Sequence, residues 1–255
     1  MSKFADKLQS ISKASSVPIG FHSSGSESKS PAMLLVVGLS GTQVKEFKIV
    51  TDVNADAGLI LSEDASGEVV KEMVEAVRDI PVGVSAKGLD EKRMDELAGA
   101  GCDFVVFDIK IAAAVLHKGK VGKFLTIEPS LDQGLVRAIN SLEVDGVFVS
   151  SKGGEPFVAV EHLLVYRRFV ELLEKPVVVA LSSLVTKDEL TSLWQAGIDV
   201  VVTSSSQSAT TLGEVKKMIS DLPRRSRSRR AKMGVALPSH GGLVSTEEDE
   251  EQEDV

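Results

Sequence analysis

Cysteine, tryptophan and tyrosine each occur once in 255 residues, and aromatic residues make up only 4% of the chain. A lone cysteine, Cys102, cannot build an intrachain disulfide framework, and it suits a reducing cytoplasm. So few aromatic rings leave little for a platform on which single-stranded nucleic acid could stack. Long apolar runs are also missing. None exceeds six residues, against the roughly 18–20 that a membrane span requires. The opening Met-Ser-Lys-Phe-Ala-Asp-Lys has no apolar signal-peptide core, so export is not expected and a cytoplasmic location is. The four histidines (22, 117, 162 and 240) show no His-x-x-x-His spacing, and there is no Cys-x-x-Cys, so no metal site is expected. Gly-x-Gly-x-x-Gly and P-loop signatures are absent. The net charge of −8 works against polyanion binding by the body as a whole.

What is present falls into three zones. Residues 1–30 open with Phe4, Leu8 and Ile11 at helical spacing, which predicts a short helix, followed by a polar linker from His22 to Ser30. Residues 31–222 alternate short β-branched runs with amphipathic stretches. Residues 223–255 turn basic from Arg224 to Lys232 and acidic from Glu247 to Asp254, with too little apolar content to fold, so a disordered tail is expected. Its six positive and seven negative side chains nearly cancel, which favours a solvated, self-neutralising tail over a nucleic-acid arm.

The middle zone offers eight strand candidates: Met33–Val37, Gly58–Leu61, Val82–Ser85, Phe104–Phe107, Phe124–Ile127, Val147–Val149, Val177–Ala180 and Val200–Thr203. They are apolar throughout rather than alternating, as parallel strands buried on both faces are. Helix signals lie between them. Val69, Val70, Met73, Val74 and Val77 form one stripe; Leu190, Leu193 and Trp194 form another. Thr186-Lys-Asp-Glu189 and Thr211-Leu-Gly-Glu214 both have capping-box spacing, and Asp90 is an N-cap candidate. The weakest unit follows the fourth strand, where Ile111–His117 allows barely two turns. Eight β-then-α units predict a single (β/α)8 TIM barrel, with an open doubly wound sheet as runner-up.

A concealed repeat supports closure. Asp56, Asp103, Asp145 and Asp199 open the four even strands at spacings of 47, 42 and 54 residues, about two βα units each. At the N-terminal end of such a barrel these carboxylates are expected to accept backbone hydrogen bonds. Cys102, beside Asp103, reads as core filler rather than nucleophile.

Pro176-Val-Val-Val-Ala-Leu-Ser-Ser through Ala196-Gly-Ile-Asp-Val-Val-Val-Thr-Ser-Ser resembles the last two units of aldolase-type, phosphate-binding TIM barrels. That superfamily holds a phosphate on a Gly-Gly turn after strand seven and a Gly-Ser turn after strand eight. Ser182-Ser183 and Ser204-Ser205 stand in those places here. The resemblance implies an anion corner at these four serines. FMN enters only because flavin barrels use the same corner; no other cofactor is implied.

Chemistry in such barrels comes from the C-terminal ends of strands. Counting five residues beyond each even-strand Asp reaches Leu61, Asp108, Ser150 and Ser204; counting seven reaches Glu63, Lys110, Lys152 and Ser206. Side chains two apart on a strand share a face. The odd strands add Lys87, Glu128 and Ser182. Glu63, Lys87, Asp108, Lys110, Glu128 and Lys152 are therefore the candidate catalytic set: lysines to bind or attack, carboxylates to move protons. Two readings follow. One is a lyase, isomerase or decarboxylase acting on a small anionic, phosphorylated metabolite. The other is a degenerate, non-catalytic barrel serving binding or assembly, suggested by serine in place of glycine. A flavin-binding oxidoreductase is third. Association with further copies of the chain stays open.

Overall fold

A computed structural model describes residues 2–13, 31–41, 44–62, 65–150, 157–181 and 185–223. Glu63, Lys152, Ser182, Ser183, the polar linker and the tail from residue 224 lie outside the described residues.

The chain begins with helix α1 (Lys3–Lys13) and then alternates strands with helices. The strands are β1 (Leu34–Leu39), β2 (Ala57–Ile60), β3 (Val82–Ser85), β4 (Phe104–Phe107), β5 (Gly122–Ile127), β6 (Gly146–Val149), β7 (Val177–Ala180) and β8 (Val200–Ser204). Between and after them come α2 (Val44–Asp52), α3 (Gly67–Val77), α4 (Glu91–Gly99), α5 (Gln133–Ala138), α6 (Val160–Leu172), α7 (Lys187–Ala196) and α8 (Ala209–Ser220). All strands are parallel and pair in sequence order, and β8 closes on β1 through Leu34 opposite Val200 and Val36 opposite Val202. The open-sheet alternative is thereby excluded. The weak unit after β4 carries only a 3-10 turn, Ala113–His117.

Local signals account for most helix starts. Asp90 caps α4 by accepting the Arg93 N–H, and Thr186 with Glu189 forms the capping box of α7. The second Thr-x-x-Glu is a correction. α8 starts two residues before Thr211, and Ser208 is its N-cap, accepting the Thr211 N–H. Serine is as good a cap as threonine and stands where the chain leaves the β8 turn, so position overrode the motif. Trp194 packs half-buried against the layer between sheet and helices.

Alternation along the strands divides the apolar residues into two cores. The outward set joins sheet to helices. The inward set fills the barrel itself: Leu34, Val36, Leu59, Phe104, Val106, Phe124, Val178 and Val202, together with Phe4 and Leu8 of α1. Inward glycines make room for the large rings. A Cβ on Gly83 would lie 2.3 Å from the Phe104 ring, and one on Gly146 2.6 Å from the Phe124 ring. Phe4 stacks on Phe104 with centroids 4.5 Å apart and lies 5.4 Å from Phe124, so α1 stoppers the N-terminal end.

The repeated aspartates hold that same end. Oδ2 of Asp56 accepts the Leu35 N–H at 2.9 Å, Oδ2 of Asp145 the Lys123 N–H at 2.8 Å, and Oδ2 of Asp199 the Val177 N–H at 3.0 Å. Each carboxylate ties an even strand to the start of the odd strand before it. Asp103 departs from the pattern. It accepts from the Ser2 hydroxyl (2.7 Å) and from the N–H groups of Lys3 (2.7 Å) and Phe4 (2.9 Å), capping α1 from about a hundred residues away.

Candidate functional site

The barrel interior is a packed core. The space left in it is a narrow void whose lining is wholly apolar and includes Phe4, Leu59, Phe104, Phe124, Phe148 and Val178. The ionisable candidates among the described residues lie instead beyond the strand ends. The C-terminal mouth is where the inward face runs out of apolar residues.

Asp108 is the first residue beyond β4 and is half-buried. Its Oδ1 accepts the Lys110 N–H at 2.7 Å, which fixes the carboxylate over the turn after the strand. Lys110 departs from expectation. β4 ends at Phe107, so the strand alternation that was to aim Lys110 inward does not reach it, and it stands exposed in a turn. Lys87 after β3 and Glu128 after β5 are both exposed and flank β4 on either side. The Ser130 hydroxyl approaches Glu128 Oε2 at 3.5 Å. Leu61, at the matching place on β2, is an apolar side chain left 38% exposed, and Ser150 after β6 is half-buried. Among the described residues, then, Lys87, Asp108, Lys110 and Glu128 share one side of the mouth, on β3–β5, and Asp108 is the one ionisable strand-end group there that is not fully exposed.

The opposite side, where β8 meets β1, is organised differently. The Ser204 hydroxyl lies 2.9 Å from that of Ser206 and accepts the Ser206 N–H at 3.2 Å. Ser205, buried, donates its N–H to the Gly38 carbonyl at 2.8 Å and its hydroxyl to Glu46 Oε2 at 3.3 Å. The same Glu46 oxygen accepts the Gly41 N–H at 3.1 Å. In its described half, the expected anion corner thus has a carboxylate on one serine and an internal bond on the other. Glu46 gave no signal in the sequence. It is 159 residues from Ser205, and only closure of β8 on β1 brings the two together.

Elsewhere the groups with displaced proton affinity are structural. Burial pushes the Cys102 thiol up to about 12, so it is core and not nucleophile. Glu189 loses solvation, which raises its pKa, but N–H donors from Thr186 and Val158 and the Thr186 hydroxyl outweigh this and hold it below the ordinary range. Among the described residues no three His, Cys, Asp or Glu side chains converge to hold a metal ion, and no helix is long and apolar enough to cross a membrane.

Eight parallel strands closed into a ring and alternating with helices define a (β/α)8 TIM barrel. Among solved structures, it is similar to mutant forms of the tryptophan synthase alpha-subunit of the hyperthermophile Pyrococcus furiosus. One is 13% identical with a TM-score of 0.58, and another is 13% identical with a TM-score of 0.59; each match covers 74% of this chain and 96% of that one. A protein from Aquifex aeolicus VF5 is 18% identical with a TM-score of 0.59, over 86% of this chain and 98% of that one. At these identities the likeness is one of fold. No family model and no curated protein matches the chain.

Proposed function

We propose that the protein is an enzyme working at the β3–β5 side of the barrel mouth, on a small anionic metabolite, by moving a proton to and from Asp108. The observation that supports this reading is the position of Asp108: half-buried, one residue past the C-terminal end of a barrel strand, its Oδ1 accepting the Lys110 N–H. A carboxylate held in place beside cations suits removal of a proton from a carbon next to a carbonyl. The proton passes to Asp108, and the electron pair left on carbon spreads onto the carbonyl oxygen as an enolate. Lys87 and Lys110 supply positive charge for the substrate's anionic group and for that oxygen. In a substrate with a hydroxyl on the reacting carbon, passage of that hydroxyl's proton to the enolate oxygen and return of the carbon-derived proton to the former carbonyl carbon complete an isomerisation. Departure of a group with its bonding electrons from the β carbon instead completes a lyase step. Glu128, after β5, is the group to which this reading gives a proton relay on the far side. A reducing cytoplasm suits the single buried cysteine. That the structural neighbours include a subunit of a synthase supports an enzymatic use of this barrel.

A second reading, a barrel that binds or assembles without catalysis, is favoured by the Glu46 contact, which occupies a serine of the expected phosphate corner. Solvent-deuterium exchange into a panel of small keto and hydroxy acids, with and without a phosphate, separates the two. Under the enzymatic reading at least one acid exchanges its α-proton, and Asp108→Asn lowers the rate by about 10²-fold or more. Binding of an acid with no exchange in any of them favours the second reading.

A further inference from the structure

We propose that Glu46 is a built-in occupant of the β8–β1 corner: its carboxylate takes the donors an anionic ligand would use there, so that the native corner turns anions away and steers them to the β3–β5 side. The inference rests on the reading of the mouth as an anion-binding face and adds the residue that sets where on that face the anion sits.

Three observations converge. First, Glu46 Oε2 accepts both the Gly41 N–H and the Ser205 hydroxyl, one donor from the loop after β1 and one from the turn after β8. A pair of convergent donors around a single oxygen is how backbone and hydroxyl groups hold an anion. Second, the contact is built closely. A Cβ at Gly41 would lie 2.4 Å from Glu46 Oε1, so a side chain there would make the carboxylate shift. Third, Thr203, one step down the same outward face of β8 as Ser205, is 1% exposed, and its hydroxyl has no partner among the described residues. Among the described residues, the outward side of β8 thus holds one hydroxyl that is not engaged. A fixed negative charge at this place repels a second one, and the two compete for the same N–H and O–H groups. Of the candidate mouth lysines, the two among the described residues, Lys87 and Lys110, follow β3 and β4, away from this corner in the barrel order.

The probe is inorganic phosphate, titrated by calorimetry into the full chain, into Glu46→Gln and into Glu46→Ala, with thermal melts confirming that each variant folds. Glu46→Gln keeps the size and the acceptor oxygen but removes the charge; Glu46→Ala empties the corner. Both are expected to bind phosphate at least tenfold more tightly than the native chain, and Ser205→Ala placed on either background is expected to abolish the gain. Equal phosphate affinity in the native chain and in both variants overturns the proposal, and so does a gain that survives Ser205→Ala. A lowered melting temperature with no gain in affinity leaves Glu46 as a brace between loops and likewise overturns it. Lys110→Ala on the native background reports on the mouth reading alone. If it leaves metabolite binding untouched while the Glu46 variants gain phosphate, the fault lies in the placement of the mouth cations and not in the role of Glu46.

Discussion

Replacing Phe4 by alanine removes the ring that stoppers the N-terminal end of the barrel. Phe4 is 1% exposed, stacks on Phe104 at 4.5 Å with planes 28° apart, and lies 5.4 Å from Phe124. Truncating a fully buried Phe costs about 3–5 kcal/mol. For a domain of this size about 1 kcal/mol shifts the melting temperature by roughly 2–4 °C, so a fall of about 6–20 °C is expected. The loss has a ceiling, because α1 can leave the barrel as a unit. Once the missing ring costs more than the docking of α1 is worth, undocking replaces strain and the loss stops growing. Asp103→Ala removes the cap from Ser2, Lys3 and Phe4, a change worth about 1–2 kcal/mol alone. Added to Phe4→Ala it should cost distinctly less, since both act on the same docking step. Urea denaturation measures the energies, and amide exchange at Lys3 and Phe4, whose N–H groups donate to Asp103, reads the docking directly. Phe4→Leu, close to volume-conserving, should cost under about 1.5 kcal/mol. A Phe4→Ala protein that melts within 2 °C of the native one, with both amides still protected, would refute the argument.

Other outcomes follow from the same packing and electrostatics. Gly83→Ala should destabilise by about 1–3 kcal/mol, because its methyl meets the Phe104 ring and β3 cannot move away without breaking its ladder; pairing it with Phe104→Leu should recover part of the loss in the same denaturation assay. Cys102, raised by burial from 9.0 to about 12, stays protonated in the folded chain while the unfolded chain loses its proton. Stability should therefore be unaffected by this group below about pH 9 and fall between about 9 and 12 by up to about 1.4 kcal/mol per unit; Cys102→Ala should flatten that part of the profile.

Several features of the fold are legible in particular residues. Three strands, Val82–Ser85, Phe104–Phe107 and Val177–Ala180, have the bounds their apolar runs imply. Phe104 and Val106 mark the side of β4 that looks inward, but Asp108, like Lys110, lies beyond the last paired residue, Phe107. The reading fails where the strand fails. Lys110 was placed by extending an alternation of two residues beyond Phe107, but the period belongs to paired backbone and stops with the pairing. Glu46 was missed for the opposite reason. No local pattern links a helix carboxylate to a serine at the far end of the chain, and ring closure alone creates that contact. The Thr211 motif misled because several hydroxyl residues precede α8, and spacing alone does not choose among them.

The repeat itself indicates where to look for function. Its N-terminal half does one mechanical job: Asp56, Asp145 and Asp199 each accept the N–H that starts the neighbouring odd strand. That task is set by strand pairing and is the same for any ligand. The β4 unit departs from the repeat three times. Its opening aspartate, Asp103, caps α1 instead of a strand. Its closing position carries Asp108, where β2, β6 and β8 carry Leu61, Ser150 and Ser204. The helix that should follow is cut to the 3-10 turn Ala113–His117, which leaves less material beside the mouth at the place where Asp108 stands. Strand pairing requires none of these departures, since β4 pairs with β3 and β5 in the same register style as the rest. Asp103 answers to the docking of α1 at the N-terminal end, whereas Asp108 and the shortened connection stand after β4, where the proposed ligand site would account for them. The substrate is therefore expected over β3–β5, its reacting carbon against Asp108 and its charge toward Lys87 and Lys110, on the side of the barrel away from Glu46.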